Sequence, residues 1–322
     1  MDLSIIIVNW NSRDYVRKCL ESIYANTRGI SFEIIVVDGA SYDGCGEMLA
    51  REFPKVTFVQ SKENIGFARA NNLGFAQSRG ECVLFLNPDT EVVDDAITQL
   101  RDFLKKTRNA GIVGAKLLNT DGSVQTSCVQ AFPTIWNQFF EAEILRRTFP
   151  HLSMWGMRPL FSMDKKPAEA EMLSGACLLL PRPVFQKCGG FSEEYFLYAE
   201  DLDLCCKTRR AGFKNYFVPA AVLIHHGGGS SHSSQSVFLT VLMRESVYRF
   251  LKKFRGGGYG LAFRASQALN ALGRLALLLI LFPIPLIRGK AGSARDPIRR
   301  WAAILKWTLG LGRPTGIPSQ PL

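Results

Sequence analysis

The eight cysteines of this 322-residue chain form no C-x-x-C pair, and several lie inside apolar runs such as CVLFL and ACLLL. A C-x-x-C redox or metal centre is thereby excluded, and the pattern fits buried free thiols in a reducing compartment better than a disulfide framework. No secretory leader is legible. Met1 runs within a few residues into strand-like sequence, without a basic n-region or a cleavage site. The apolar segment at 275–287, LALLLILFPIPLI, is 13 residues long and is interrupted by Pro283 and Pro285. A spanning helix needs ~20 residues, so this segment is expected to lie in a membrane interface or to pack on protein. Internal repeats are also lacking. What the chain does have is an apolar share of 47%. That rules out a disordered chain and allows one large α/β domain with an appendage, or two small domains.

The net charge of +11 is unevenly placed. Between residues 255 and 322 stand ten Lys or Arg and a single acid, Asp296, while the rest is close to balanced. A basic tail can meet nucleic acid or anionic lipid. Here it is interleaved with a very apolar segment, which favours lipid. Trp301 and Trp307 would suit the headgroup level.

Residues 3–10, LSIIIVNW, form a β-branched run expected of a strand buried on both faces of a parallel sheet. Asn11 and Ser12 can cap a helix running to about Tyr24. Strands follow at 32–38 (FEIIVVD) and 56–60 (VTFVQ), then a helix in ENIGFARANNLGFAQSRG and a strand running into ECVLFLNPDTEV. This alternation predicts a doubly wound, mostly parallel α/β sheet, with ligands at the C-terminal ends of its strands. Residues 119–123, NTDGS, read as a hairpin turn. Residues 132–170 lack a clean period and read as a mobile insertion, and from 236 onward the chain reads as helical and basic.

Four places carry candidate chemistry. Asp38 ends a buried strand and can accept a hydrogen bond from a nucleobase or ribose; the alternative is a loop acid capping a helix. Asn87 and Asp89 flank Pro88 beyond a strand, where an oxygen ligand could face a diphosphate-bound divalent ion. Glu200, Asp201 and Asp203 fit either the first turn of a helix, favoured there by its dipole, or a cleft in which one carboxylate serves as general base. His225 or His226, ahead of three glycines, could be a metal ligand or a phosphate contact.

In chain order SIIIVNWN, EIIVVDGASYDG, NIGFARANNLGF, LFLNPDT, LSGACLLLPR, GGFSEEYFLYAEDLDLC and VLIHHGGGSS resemble the family 2 glycosyltransferases, in particular the rhamnosyltransferase-like branch acting on bacterial polysaccharides. The resemblance spans roughly residues 3–231. It implies a GT-A fold over residues 1–235, with 132–170 as a mobile acceptor-side insertion, and the basic, apolar composition beyond it points to a helical membrane-associating extension over 236–322. It implies an inverting transferase using Mg²⁺ or Mn²⁺ and a dTDP- or UDP-sugar, with a lipid-linked or polysaccharide acceptor and no nucleic acid. It places the enzyme in the cytoplasm, peripherally bound to the inner face of the cytoplasmic membrane. On this resemblance Asn9, Asp38, Asn64, Gly66 and Asn87 would line the donor nucleotide, and Asp89 with His225 would serve the metal. Asp201 would be the base with Glu200 supporting it, and Gly175 and Asp203 would face the acceptor. The chain departs from the family pattern at Gly39, Cys45 and the single-Asp NPDT. Against a nucleotidyltransferase stands the absence of a Gly- and Arg-rich phosphate loop near the N-terminus. Against a non-catalytic membrane scaffold stands the intact acid set.

Overall fold

A computed structural model of the chain describes residues 1–140, 143–163, 165–227, 237–281 and 291–312. The elements run β1 (Leu3–Asn9), α1 (Arg13–Asn26), β2 (Phe32–Asp38), α2 (Cys45–Glu52), β3 (Thr57–Gln60), α3 (Gly66–Gln77), β4 (Cys82–Leu86), β5 (Thr90–Val92), α4 (Ala96–Lys106), β6 (Ala110–Leu118) and β7 (Val129–Gln130). There follow α5 (Ile135–Phe139), α6 (Glu143–Thr148), β8 (Ala168–Ala170), β9 (Met172–Leu173), β10 (Cys177–Pro181), α7 (Arg182–Lys187), α8 (Glu200–Arg210) and β11 (Lys214–His225). The chain then forms α9 (Val237–Arg255), α10 (Gly257–Leu281) and α11 (Ala291–Thr308). They gather into two compact units. One comprises residues 1–132, 148–196 and 200–232, and the other 133–147, 197–199 and 233–322.

The first unit is built on a nine-stranded sheet in the order β3-β2-β1-β4-β10-β6-β11-β5, with β8 on β11. The half formed by β3, β2, β1 and β4 is parallel. β10 enters antiparallel between β4 and β6, and β5 and β8 run antiparallel to β11. Side-chain alternation splits the core into two layers. Ile5, Ile7, Leu84 and Leu86 face α1, α2 and α4 through Leu20, Met48 and Leu100. Ile6, Val83 and Phe85 face α3, α7 and α8 through Ala70, Phe185 and Leu204. All eight cysteines are buried and free; burial pushes the Cys19 and Cys177 thiols up to about 12. The 119–123 turn closes as expected, with Asn119 N donating to Ser123 O and a bridge between Leu118 and Val124.

The second unit is helical. It takes in residues 133–147, so the 132–170 segment, read as one insertion, divides between the units. Within this unit Ile135 N donates to Tyr259 Oη, and Asn270 Nδ2 donates to the Phe139 carbonyl. Trp307, expected at a headgroup level, is 2% exposed, and its indole N–H donates to Glu245. Its polar tip found a carboxylate inside the helical unit, which removes the reason for it to seek an interface. Of the 275–287 segment, residues 275–281 end α10 and the remainder lies outside the described residues.

Candidate active site

At the C-terminal ends of the parallel strands, register sets Asn9, Asp38 and Gln60 side by side. Asn9 Nδ2 donates to Asp38 Oδ2 at 2.6 Å and Gln60 Nε2 donates to Oδ1 at 2.7 Å. The Ser41 N–H donates to Oδ1 at 2.9 Å, and its hydroxyl donates to Oδ2. Four donors fill the lone pairs of a carboxylate. Burial works against the charge on Asp38, but the bonds from Ser41, Gln60 and Asn9 outweigh it and hold the carboxyl below its ordinary value. Asn9 is fully buried. Its amide, read as a donor nucleotide contact, is spent on Asp38 and its loop. The start of α1 is also capped from elsewhere. The Ser12 hydroxyl donates to the Trp10 carbonyl, while Asn9 Oδ1 and Asp43 Oδ2 accept the N–H groups of Ser12 and Arg13. A hollow of about 410 Å³ opens beside Asp38, walled by Tyr42, Asp43, Phe58 and Gln60 among others.

Asn64 Oδ1 accepts the Gly66 N–H at 3.0 Å, tightening the entry to α3. Gly66 has φ of +80°, and a Cβ there would lie 2.5 Å from the Phe196 carbonyl oxygen. The following N–H, of Phe67, donates to that same oxygen at 2.9 Å. Glycine is needed here so that α3 can approach the 192–196 loop.

On the other side of β1, the ends of β4, β5 and β11 bring Asn87, Asp89 and His225 together. His225 pairs with Thr90 across the β5–β11 ladder, and the His226 N–H donates to the Asp89 carbonyl. His225 Nε2 lies 3.4 Å from Asp89 Oδ1 and 3.4 Å from Asn87 Nδ2. Of the two adjacent histidines, His226 turns away to Glu91 at 2.7 Å and packs on Tyr15. Gln125, which the sequence reading missed, clamps His225 with both ends of its amide. Nε2 donates to the His225 carbonyl at 2.6 Å, and Oε1 stands 2.8 Å from Nδ1. A backbone carbonyl only accepts, so the amide nitrogen must face it and the amide oxygen must face the ring. Nδ1 therefore carries a proton, and the tautomer this selects has its lone pair on Nε2, toward Asp89.

A carboxylate oxygen and an imidazole nitrogen so directed fit a divalent ion. Among the described residues no group of three or more His, Cys, Asp or Glu could hold an ion by itself. Diphosphate oxygens and water would therefore have to complete the shell, as expected where substrate and metal bind together.

The acid pair opens α8. Asp201 Oδ2 accepts the Gly175 N–H at 2.8 Å, and Oδ1 accepts the Leu202 N–H. A Cβ at Gly175 would stand 3.2 Å from the Asp201 carboxylate. The next residue, Ala176, accepts the Asn87 N–H through its carbonyl. Two consecutive residues thus tie the metal-side trio to Asp201. Burial raises the proton affinity of Asp201, partly offset by the Gly175 and Leu202 N–H groups. Glu200 is raised well above the usual range, by burial first and then by the Asp201 charge, and its Oε2 is buried with no hydrogen-bond partner. Asp203 differs from the acceptor-facing role read for it. It is fully buried, taken by Ser192 at 2.6 Å, Tyr195 at 3.4 Å and Lys207 at 3.2 Å. Its position in the first turn faces the core, where these donors fix α8.

The family profile described as "Glycosyl transferase family 2" matches residues 4–170. The chain belongs to this family. It is a glycosyltransferase of the hexosyl-transferring kind, on a GT-A fold. Over 287 residues this family 2 chain is 28% identical to an N-acetylglucosaminyl-diphospho-decaprenol L-rhamnosyltransferase of Mycobacterium tuberculosis, covering 85% of the chain and 91% of that protein. It is 24% identical to the rhamnosyltransferase WbbL of Escherichia coli over 78% of the chain and 93% of that protein. The structure of a Pyrobaculum calidifontis mannosyltransferase with GDP-Man and Mn²⁺ superposes with a TM-score of 0.59 at 17% identity, over 96% of this chain and 86% of that one.

Proposed function

We propose that this family 2 enzyme transfers a sugar from a nucleotide diphosphate to a hydroxyl of a lipid-linked or polysaccharide acceptor, inverting the anomeric carbon. The proposed donor is dTDP-rhamnose, with a UDP-sugar as the other donor class. The rhamnosyltransferase names of two relatives that align along most of their length support this reading, and the M. tuberculosis name specifies a diphospho-decaprenol acceptor. The observation that carries the chemistry is the two-residue link between Asp201 and the Asn87, Asp89 and His225 trio. It fixes a proton acceptor relative to the place where a diphosphate would leave.

Asp201 takes the proton of the acceptor hydroxyl as it attacks. Two backbone N–H groups orient its carboxylate, and burial raises its basicity. Glu200 keeps its proton, so that only one negative charge stands at the start of α8. Asp89 and the Nε2 lone pair of His225 would hold Mg²⁺ or Mn²⁺, which when bound stabilises the charge on the departing diphosphate. Asp38, Asn64 and Gly66 shape the nucleoside side of the donor site, with Asp38 acting through its loop unless one of its four bonds opens. The enzyme would work at the inner face of the cytoplasmic membrane, held peripherally by its helical part.

Thermal shift with a panel of nucleotide sugars and Mg²⁺ or Mn²⁺ tests the donor assignment, since a ligand that binds the native state raises apparent stability. A dTDP-sugar should give the largest shift, dependent on the metal. If no nucleotide sugar moves the melting temperature, the donor reading is wrong.

A further inference from the structure

α10 is built inside out for a helix in water. Every exposed residue on it from 261 to 280 is apolar, the large ones being Leu261, Leu269, Leu272, Leu277, Leu279 and Ile280. Its polar side chains point the other way. Gln267 is fully buried, Asn270 is 9% exposed and Arg264 is half-buried, its guanidinium donating to the Trp307 carbonyl and lying over Tyr248 and Trp307. Arg274 lies over Trp301. The inward placement of Gln267 is costly, because among the described residues neither end of its amide has a partner. A soluble helix shows the reverse polarity, with its apolar stripe on the core. Polar groups turned to the protein and leucines turned outward are the pattern of a helix facing hydrocarbon.

We propose that the outer face of α10 is the surface by which this enzyme inserts into the interface of an anionic bilayer. The proposal rests on the membrane-bound reading above and narrows the contact within the basic tail to the outer face of this helix, which includes residues 275–281 of the apolar segment. An apolar face running from 261 to 280 extends about 30 Å, which suits a planar interface better than a protein groove. No helix of the described residues is long and apolar enough to cross a membrane, so α10 lies in the plane. Of the ten cations against one acid from residue 255 onward, Arg264 and Arg274 turn inward, and the other eight keep this stretch of sequence strongly basic, matching an anionic surface. α5, held to α10 through Tyr259 and Asn270, carries the exposed Trp136, with Phe140 just past its end, at 70% and 45% exposure. Aromatic rings of this kind suit the headgroup level.

Flotation of the full chain with phosphatidylcholine vesicles, with and without phosphatidylglycerol, tests this. Wild type should float with both and more strongly with phosphatidylglycerol, and salt should remove only the added part. Leu269→Glu with Leu272→Glu should lower vesicle affinity by about tenfold or more while circular dichroism and donor hydrolysis stay as in wild type. Equal flotation of that variant overturns the assignment of this face and leaves membrane attachment standing. If wild type floats with neither vesicle yet hydrolyses donor, membrane attachment fails and the transferase reading survives. A dimer that the double variant splits, with no change in flotation, gives the face to a second copy and overturns the proposal. Alanine at the same two positions should give a smaller loss in the same direction.

Discussion

The catalytic unit treats its buried carboxylates in two opposite ways. Asp38 receives four hydrogen bonds and is held below its ordinary proton affinity, so it stays charged and fixed. Glu200 and Asp201 receive few donors for their burial and are held above theirs. The difference is one of supply. Parallel register delivers Asn9 and Gln60 to Asp38 from neighbouring strands, whereas the start of α8 offers Asp201 only N–H groups and leaves Glu200 Oε2 with nothing. A satisfied carboxylate is a good piece of scaffold. An under-satisfied one can exchange a proton, and that is what a general base must do.

The largest effect expected from breaking this contrast is at Asp201. Asp201→Asn keeps an acceptor for the Gly175 N–H but cannot take a proton. Transfer should fall by about 10²–10⁴-fold, while the thermal shift given by the donor survives. Near-normal turnover would remove Asp201 from the role of base. Asp38→Ala comes next, acting on stability. It strands the buried amide of Asn9, while the exposed Gln60 can turn to water, and the loss should be roughly 1–3 kcal/mol by denaturant titration. A loss below about 0.5 kcal/mol would mean that the four-bond hub does not hold the loop.

Gln125 tests the metal side without touching a ligand. Gln125→Met removes the acceptor at Nδ1 and lets the ring turn and change tautomer. Affinity for Mn²⁺ in the presence of a nucleoside diphosphate, measured by calorimetry, should drop by about 10–100-fold. Unchanged affinity would show that His225 needs no orienting partner, or is no ligand.

Much of the sheet-bearing unit was legible in the sequence because short, β-branched apolar runs between turn signals fit doubly covered strands, and polar residues at their ends fall where ligands bind. The 32–38 run and its terminal Asp38 are the plainest case. Other features were hidden for physical reasons. A lone Gln in a loop carries no periodic or compositional signal, so Gln125 could not be found. The acids at 200, 201 and 203 share one helical turn, and sequence cannot say which side of that turn meets the core; Asp203 does. The same ambiguity governed α10 and Trp307. Periodicity reveals that a helix has an apolar stripe, but the partner that covers the stripe is decided by tertiary packing. The antiparallel entry of β10 between β4 and β6 was likewise invisible, because an apolar run of five residues carries no direction.

The smallest expected effect sharpens the comparison most. Glu200→Gln should leave the acid pair's geometry in place and remove the ionisable group. Since the folded protein raises this carboxyl above its ordinary value of about 4.5, the unfolded chain binds fewer protons than the folded one between that value and the raised one. Stability of the wild type therefore declines as pH rises through this window, and the decline is complete once pH passes the raised value. The glutamine carries no such linkage, so the variant should melt higher than wild type at neutral pH, with the gain vanishing below pH about 4.5. Melting curves that superpose on those of wild type from pH about 4.5 to neutrality would mean that Glu200 is as well satisfied as Asp38, and the contrast between the two ends of the site would disappear.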